Sequence, residues 1–398
     1  MSLELSRKVT MINPSATFKM VSRIAELKNQ NIDVIGFNIG EPDFDTPDHI
    51  NEAIIKAIQS GQTRYVNASG ILELRIAISE KLRTENNLNY QPDQIVVSTG
   101  AKQALYNTIM TLANDGDEII IPTPCWVSYE EMVKVSGATC VFVPTEATTF
   151  QLDPQAIEKA ITSKTKAIII NTPNNPTGCV YSKEVLEKLA ALAIKYDFYV
   201  ICDEIYEKLI YDGQQHFSLA SFNEEIYRRA ITINGFAKSH AMTGYRIGYA
   251  VYPPGLADKA SNLQVHSTSN STTPVQYGAL AALQANQEKV EEMVAEFAKR
   301  RELSMELLSE IENIKFGLVS GAFYLMIDVS SFYGKSYNNY QIKDAEDMTL
   351  YLLEEARIAL VAGTSFQAPN YLRFTYANSQ ANIREGISRM KMALAKLK

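Results

Sequence analysis

The sequence predicts an α/β fold, in which a larger domain with a mostly parallel β-sheet flanked by helices is joined to a smaller α+β domain. Between about residues 95 and 233, short runs of β-branched residues are apolar throughout rather than alternately polar and apolar. Such runs are typical of strands that are buried on both faces. Amphipathic helical patterns separate the runs and can cover both faces of the sheet. After Pro274 the pattern changes to a long, charged helical region, which indicates a second structural unit.

The elements of the larger domain follow this alternation in chain order. Strands are predicted at residues 95–97, 118–121, 167–170, 198–201 and 230–233, and helices at 102–113, 127–135 and 183–196. Thr46 precedes Pro47, and Asp153 precedes Pro154. A side chain that can cap a helix, followed by proline at the first helical position, predicts that a helix begins at each pair.

The smaller domain is predicted from both ends of the chain. In the C-terminal part the pattern predicts a helical region at residues 275–311, a strand at 323–327, a helix at 345–357, a strand at 371–375 and a last helix up to residue 398. A helix at residues 16–28 is expected to join this unit. We therefore expect a large domain at residues 46–285 and a discontinuous small domain at residues 1–45 and 286–398.

Composition excludes several classes of protein. The 398 residues are 46% hydrophobic and 21% charged, which excludes a disordered or collagen-like chain. The net charge of −7 gives no bulk positive field for nucleic acid. No apolar run approaches the roughly 20 residues that span a bilayer, and the N-terminus lacks the apolar core of a signal peptide. The four cysteines form no CxxC pair, so free thiols and a cytoplasmic location are expected.

The common motifs for dinucleotides, zinc peptidases and serine hydrolases are absent, since the chain has no GxGxxG, HExxH or GxSxG. Its four histidines are scattered without the spacing of metal ligands. No metal site is therefore expected.

Polar segments follow three of the predicted strands, at the points where these strands end. They read NTPNNPTG at residues 171–178, DEIY at 203–206 and NGFAKSHAMTGYR at 234–246. The C-terminal ends of the strands are where ligands bind in open α/β sheets. The three segments are therefore candidates for one functional site.

With these segments the sequence resembles the class I aminotransferases, which are fold-type-I enzymes that depend on pyridoxal 5'-phosphate. The resemblance extends from GEPDF at residues 40–44 to Arg373 and is strongest to the prokaryote-type (subgroup Ib) aspartate aminotransferases. It implies the fold-type-I architecture, pyridoxal phosphate as cofactor, and an amino acid and a 2-oxo acid as substrates.

The resemblance implies roles for residues of the three segments. Lys238 matches the lysine that binds the cofactor aldehyde covalently and acts as general base and acid. Asp203 matches the carboxylate that keeps the pyridine nitrogen protonated. Tyr206 and Asn175 match groups that hydrogen-bond the phenolic oxygen of the ring. A solvated lysine, a helix-capping aspartate, a core tyrosine and a turn asparagine are the respective structural alternatives.

Other matching residues are implied to hold the cofactor phosphate. Arg246 matches an arginine that binds phosphate through its fork of donors, and a surface ion pair is the alternative. Gly100, Ala101 and Lys102 lie between a predicted strand and a helix, where free backbone N–H groups suit an anion. Tyr65 matches a tyrosine that reaches the phosphate of the neighbouring subunit, which implies a homodimer with shared active sites.

Five residues match groups that border the substrate. Arg373 matches the arginine that binds the α-carboxylate, and an internal ion pair is the alternative. Lys102 matches a lysine directed at the distal carboxylate of a dicarboxylic substrate, and a solvent-facing helix lysine is the alternative. Trp126 matches the aromatic residue that stacks on the cofactor ring, with a core tryptophan as the alternative. Gly40 matches a backbone position against the substrate, which Asn175 also borders.

The implied activity is the transfer of the amino group of L-aspartate to 2-oxoglutarate in two half-reactions. A broad-specificity aminotransferase (aromatic, alanine or prephenate), another pyridoxal phosphate enzyme such as a β-lyase, and a non-catalytic regulator on the same scaffold remain open. Ala237 and Tyr245 depart from the serine and tryptophan that are usual in the subgroup. Asn13 lies where members that accept prephenate carry a basic residue, which argues against prephenate.

Overall fold

The computed structural model describes residues 4–12, 23–24, 26–27 and 29–398. Asn13 and most of the helix predicted at residues 16–28 lie outside this part of the chain. Of the described residues in that stretch, Arg23 and Leu27 are helical. None of the described helices is both long enough and apolar enough to cross a membrane.

Thirteen helices have both ends within the described residues. They are α1 (Arg7–Thr10), α2 (Asp48–Gln59), α3 (Leu72–Glu85), α4 (Ala101–Leu112), α5 (Ser128–Ser136), α6 (Pro154–Ala160), α7 (Lys183–Tyr196), α8 (Glu224–Tyr227), α9 (Ala257–Val265), α10 (Thr273–Gln284), α11 (Glu288–Ser309), α12 (Ala345–Ala356) and α13 (Gln380–Leu394).

The described residues form fifteen strands. They are β1 (Ile35–Gly36), β2 (Ile95–Ser98), β3 (Glu118–Thr123), β4 (Thr139–Pro144), β5 (Thr165–Asn171), β6 (Tyr199–Asp203), β7 (Ala230–Gly235), β8 (Gly248–Val251), β9 (Lys315–Phe316), β10 (Tyr324–Asp328), β11 (Ser336–Tyr337), β12 (Tyr340–Gln341), β13 (Ile358–Ala359), β14 (Val361–Ala362) and β15 (Tyr371–Thr375).

A seven-stranded sheet with the order β2-β8-β7-β6-β5-β3-β4 forms the centre of the larger part. Its strands are parallel, except that β8 runs antiparallel to its neighbours β2 and β7. The five strands predicted for this part are confirmed as β2, β3, β5, β6 and β7, which are buried almost throughout. The predicted α/β fold with a mostly parallel sheet is therefore confirmed.

The predicted strands do not include β4 and β8. β4 lies at the edge of the sheet and leaves most of its side chains partly or fully exposed. Its sequence, TCVFVP, contains four consecutive apolar residues, so the pattern of a short strand is present there. β8 has only four residues and follows directly after the polar segment that ends at Arg246. Its residues, GYAV, begin with glycine and contain one β-branched residue, so they do not form the run that marks the other strands.

The two predicted helix starts have different outcomes. Asp153 accepts hydrogen bonds from two backbone N–H groups in the first turn of α6, and Pro154 is the first residue of that helix, as predicted. The prediction that Thr46 caps a helix is wrong, because the N-cap residue of α2 is Pro47. The Thr46 hydroxyl instead donates to the carbonyl oxygen of Ala241 (2.6 Å). A tertiary contact has replaced the local cap.

The helical region predicted at residues 275–311 consists of two helices, α10 and α11, with a break between them. Ala285 adopts an extended backbone (φ −79°, ψ 165°). The Gln287 side chain donates to the carbonyl oxygens of Ala282 and Ala285, both at 3.0 Å. These bonds satisfy carbonyl groups that the end of α10 leaves free. The break lets α10 pack on α2 and α3, while α11 packs on α13.

A second, antiparallel sheet with the order β14-β15-β10-β9 lies at the centre of the smaller part. β1 pairs in parallel with β13, which ties the N-terminal segment to this part. We propose that the large domain spans residues 46–285 and the small domain residues 1–45 and 286–398. The boundary falls at residue 285 because α10 packs on α2 and α3, whereas α11 packs on α13.

Candidate active site

The described residues form a cleft of about 850 Å³ that is bordered by residues of both sheets. Ten of the predicted site residues line it, namely Gly40, Ala101, Lys102, Trp126, Asn175, Asp203, Tyr206, Lys238, Arg246 and Arg373. The other two, Gly100 and Tyr65, lie outside its lining. The segments that follow β5, β6 and β7 therefore meet at one place, as the sequence predicts.

The side chain of Lys238 lies in this cleft, three residues after β7 ends. Its Nζ donates a hydrogen bond to the carbonyl oxygen of Gly40 (2.5 Å). Burial lowers the pKa of Lys238 to about 8; the nearby Glu41 opposes this shift, and the positive charges of Arg373 and Arg246 add to it. Such an amine is partly unprotonated near neutral pH, as a nucleophile or general base requires.

Asp203 is the last residue of β6 and is only 4% exposed. Its Oδ2 accepts a hydrogen bond from the Tyr129 hydroxyl (2.6 Å), and its Oδ1 accepts one from the backbone N–H of Ile205 (3.2 Å). Burial raises the pKa of Asp203 to about 6, although both hydrogen bonds act in the opposite direction. A positively charged ligand atom in this place would favour the ionised carboxylate.

Arg373 lies on β15 and is 6% exposed. Its Nη1 donates to Oδ1 of Asn175 (3.1 Å) and its Nη2 to the carbonyl oxygen of Asn38 (2.9 Å), whereas Nε has no partner among the described residues. Burial lowers the pKa of Arg373, and no carboxylate of the described chain offsets that effect. The internal ion pair considered above is thus not found in the described residues. A buried guanidinium without a counter-charge is suited to an anionic ligand.

Gly100 and Arg246 stand together at the N-terminal end of α4. Gly100 has φ +82°, and a Cβ there would lie 2.6 Å from Nη2 of Arg246. The first intrahelical bond of α4 is donated by Gln103, so the N–H groups of Ala101 and Lys102 have no backbone acceptor within the described helix. Two free N–H groups, the helix dipole and a guanidinium form a cradle for an anion.

Trp126 forms another wall of the cleft. Nζ of Lys102 lies 4.8 Å from the centre of its ring, and Tyr129 packs edge-to-face against it with ring centroids 5.3 Å apart. Burial, together with the charge of Arg246, lowers the pKa of Lys102. Lys102 is exposed to solvent, as the alternative of a solvent-facing lysine requires, but its Nζ also lies over a ring that lines the cleft. Its role toward a substrate stays a prediction.

Sequence reasoning missed two tyrosines of the cleft, Tyr129 and Tyr324. The hydroxyl of Tyr324 lies 2.9 Å from that of Tyr206, and the guanidinium carbon of Arg373 lies 4.6 Å from the centre of the Tyr324 ring. Trp126 precedes α5 and Tyr129 lies in its first turn, so no helical spacing pairs the two residues, and Tyr129 carries only the pattern of a core residue. Tyr324 carries only the pattern of a buried strand residue.

Tyr65 is not brought into the cleft of its own chain. It lies between α2 and α3 and is 87% exposed. An exposed tyrosine is free to contact another subunit, so its role in a shared active site stays a prediction.

The whole chain is similar to proteins of known function. Residues 32–390 match a family model described as aminotransferase class I and II. The chain is 42% identical to the aspartate aminotransferase of Bacillus sp. (strain YM-2) over 387 residues, which cover 97% of this chain and 98% of that protein. It is 42% identical to a probable aspartate/prephenate aminotransferase of Aquifex aeolicus (strain VF5) over 396 residues, which cover 99% of each. A solved structure of Thermus thermophilus aspartate aminotransferase with maleate has a TM-score of 0.92 and 40% identity, covering 98% of this chain and 100% of that chain.

Proposed function

Because the chain belongs to the class I and II aminotransferases, we propose that it is an aspartate aminotransferase with pyridoxal 5'-phosphate as its cofactor. It transfers the amino group of L-aspartate to 2-oxoglutarate and releases oxaloacetate and L-glutamate. The observation that carries this proposal is the buried guanidinium of Arg373, which has no counter-charge among the described residues, in the same cleft as the amine of Lys238 and the carboxyl group of Asp203.

The residues present fit pyridoxal phosphate. The Lys238 amine would hold the aldehyde, and the Asp203 carboxylate would pair with the pyridine nitrogen. The cradle at the start of α4, where a Cβ on Gly100 would meet Arg246, offers cationic and N–H donors to the phosphate. Trp126 offers an aromatic wall for the ring. Tyr206 and Asn175 line the same cleft and would also contact the ring.

The side chains of this chain move and hold the protons of the reaction. When bound, pyridoxal phosphate supplies an aldehyde for the substrate amine and a protonated ring that withdraws electrons from the substrate Cα. Asp203 would keep the ring nitrogen protonated, because the negative charge of its carboxylate stabilises the positively charged form of that nitrogen. After the substrate amine has taken its place on the aldehyde, the freed Lys238 amine, with a pKa of about 8, would take the proton from the substrate Cα and deliver it to the C4′ carbon of the cofactor.

The positive charges of the cleft select a dicarboxylic amino acid. Arg373 binds the α-carboxylate through two parallel hydrogen bonds and is held in place by Asn175. Lys102, whose Nζ lies over the Trp126 ring, attracts the distal carboxylate. Gly40 leaves the backbone of its segment close to the substrate.

A second copy of the chain completes the active site. Four apolar side chains on α2 and α3 are about half exposed, namely Ile55, Ile58, Leu72 and Ile76. These helices flank the loop that carries the exposed Tyr65. An apolar surface of this kind favours a homodimer in which Tyr65 reaches the partner's phosphate cradle.

The four free cysteines, three of them buried, accord with the reducing cytoplasm.

A panel of substrates tests the proposal. Purified protein reconstituted with pyridoxal phosphate is given aspartate, alanine, phenylalanine or glutamate as donor, and 2-oxoglutarate or prephenate as acceptor, while the visible absorbance of the cofactor is followed. We expect aspartate with 2-oxoglutarate to give the highest kcat/KM. Release of ammonia and pyruvate would instead identify a β-lyase, and equal kcat/KM values for all donors would identify a broad-specificity enzyme.

A further inference from the structure

Tyr324 has no part in the activity proposed above, yet it contacts two residues that do. It lies on β10 in the wall of the cleft and is 1% exposed. Its hydroxyl lies 2.9 Å from that of Tyr206, and its ring centre lies 4.6 Å from the guanidinium carbon of Arg373. One side chain therefore joins the group assigned to the cofactor ring to the group assigned to the substrate carboxylate.

The position of Tyr324 also restricts residue 40. A Cβ on Gly40 would lie 2.7 Å from the Tyr324 hydroxyl oxygen but 3.6 Å from the nearest ring carbon. The clash therefore comes from the hydroxyl alone. Tyr324 has no room to turn away, because it is buried and packed against Phe323 with ring centroids 4.7 Å apart. The Gly40 carbonyl oxygen accepts the hydrogen bond of Lys238 (2.5 Å), so a displacement of Gly40 reaches that amine.

From these contacts, and resting on the proposed function, we propose that Tyr324 is a positioning residue whose hydroxyl orients the Tyr206 hydroxyl and whose ring holds the Arg373 guanidinium. Gly40 is glycine because the Tyr324 hydroxyl occupies the space of a Cβ. Burial raises the pKa of Tyr206 and of Tyr324, so both hydroxyls stay protonated. Either hydroxyl can donate in this pair. In the proposed arrangement Tyr324 donates to Tyr206, which leaves the proton of Tyr206 for the phenolic oxygen of the cofactor and strengthens that bond.

Two substitutions of Tyr324 separate its contacts in the holoenzyme. Tyr324→Phe keeps the ring and removes the hydroxyl. We expect kcat to fall while the KM for aspartate stays close to that of the wild type. The pKa read from a pH titration of the cofactor's visible absorbance should rise by about half to one unit. A weaker hydrogen bond to the phenolic oxygen leaves more electron density there, which stabilises the proton on the nitrogen that joins Lys238 to the cofactor.

Tyr324→Leu removes the ring as well. Arg373 then loses one of its two aromatic neighbours, since the Phe366 ring also lies 4.9 Å from its guanidinium carbon. We expect the Kd for succinate to rise by about 3- to 30-fold relative to Tyr324→Phe. Succinate is the probe because it carries two carboxylates and no amino group. Its binding can be read from the fluorescence of Trp126, the only tryptophan of the chain, which lines the same cleft.

A double-variant cycle tests the link to Gly40. Gly40→Ala should lower the thermal unfolding midpoint of the full chain, because the new methyl group overlaps the Tyr324 hydroxyl. In Gly40→Ala/Tyr324→Phe the overlapping atom is gone, and we expect at least half of the loss to be recovered. Two substitutions that acted independently would add instead.

Tyr90→Phe is the matched control. Tyr90 is fully buried outside the cleft, and its hydroxyl has no partner among the described residues. We expect it to leave the absorbance pKa, KM and succinate Kd unchanged.

Each result decides one part of the proposal. An unchanged absorbance pKa in Tyr324→Phe would overturn the link to Tyr206. Equal succinate affinity in Tyr324→Phe and Tyr324→Leu would overturn the link to Arg373. A double variant no more stable than Gly40→Ala would overturn the link to Gly40. Failure of the wild-type protein to bind pyridoxal phosphate would overturn the proposed function instead, and the thermal cycle can still be measured in that event.

Discussion

The hydrogen bond from Tyr129 to Asp203 controls the ionisation of that carboxyl group, and Tyr129→Phe should expose this control. In the cofactor-free protein, Asp203 has two described donors, the Tyr129 hydroxyl at 2.6 Å and the Ile205 N–H at 3.2 Å. Both residues of the Tyr129–Asp203 pair are nearly inaccessible, at 2% and 4% exposure. Removal of the hydroxyl leaves the buried carboxylate with one donor, and the longer of the two.

The size of the effect follows from the charge on the acceptor. A hydrogen bond to an ionised group contributes about 1.5–3 kcal/mol, which corresponds to about one to two pKa units. The pKa of Asp203, raised by burial to about 6 in the wild type, should therefore reach about 7 to 8 in Tyr129→Phe.

The sign of the stability change follows from proton linkage. Because the folded-state pKa of Asp203 lies above the unfolded value of 3.8, the folded state binds more protons between these values. The contribution of Asp203 to the free energy of unfolding is highest below about pH 4 and declines as the pH rises to about 6. In Tyr129→Phe the decline should continue to about pH 8. A carboxyl group with a pKa of about 7 to 8 is still partly protonated at pH 8, so the variant should lose about 1–2.5 kcal/mol more, relative to wild type, at pH 8 than at pH 5.

Urea unfolding of the cofactor-free protein at pH 5 and pH 8 measures this difference. Tyr90→Phe serves as the control, because it removes a buried hydroxyl that has no partner in the described structure, and its effect should not depend on pH. If the wild-type and Tyr129→Phe free energies of unfolding fell in parallel between the two pH values, the assigned coupling between Tyr129 and Asp203 would be refuted.

The remaining predictions concern the charged groups of the cleft and the dimer. Arg373→Leu should lower kcat/KM for aspartate and alanine alike by about 10- to 100-fold, since both present an α-carboxylate; steady-state kinetics that spared alanine would contradict this. Lys102→Ala should reduce kcat/KM for aspartate about tenfold and leave alanine nearly unaffected, so equal losses would exclude Lys102 from side-chain recognition. Lys238→Met should stabilise the cofactor-free protein by about 3 kcal/mol at pH 7. The folded-state pKa of Lys238, about 8, lies below the unfolded value of 10.5, so its contribution to the free energy of unfolding is lost as the pH falls through that range. An unchanged free energy of unfolding in urea at pH 7 would count against a buried ammonium. Tyr65→Phe should raise the Kd for pyridoxal phosphate although Tyr65 lies outside its own cleft, and unchanged Kd in equilibrium dialysis would remove Tyr65 from the shared site.

Much of the fold could be predicted because its signals are local. The buried strands β5, β6 and β7 are continuous apolar runs, and the polar residues directly after them had to meet at one edge of the sheet. Arg373 stood out as a charge within an apolar strand. The features that escaped prediction depend on tertiary contacts.

Particular residues show where local reasoning ends. Thr46 has the sequence of a helix cap, but its hydroxyl donates a hydrogen bond to the carbonyl oxygen of Ala241, nearly 200 residues away. Gln287 lies within a continuous helical pattern, yet its side chain bonds to the preceding helix end and separates two helices. Tyr129 and Tyr324 read as core tyrosines, because only the folded chain brings their hydroxyls to Asp203 and Tyr206.

The central claim is that the amine of Lys238 carries the cofactor, and chemical reduction tests it most directly. The protein is loaded with pyridoxal phosphate, treated with sodium borohydride, digested and mapped by mass spectrometry. We predict that the yellow colour is lost irreversibly and that one peptide, the one containing Lys238, gains a pyridoxyl group. A modified peptide elsewhere, or a protein that stays colourless when mixed with the cofactor, would contradict the assignment.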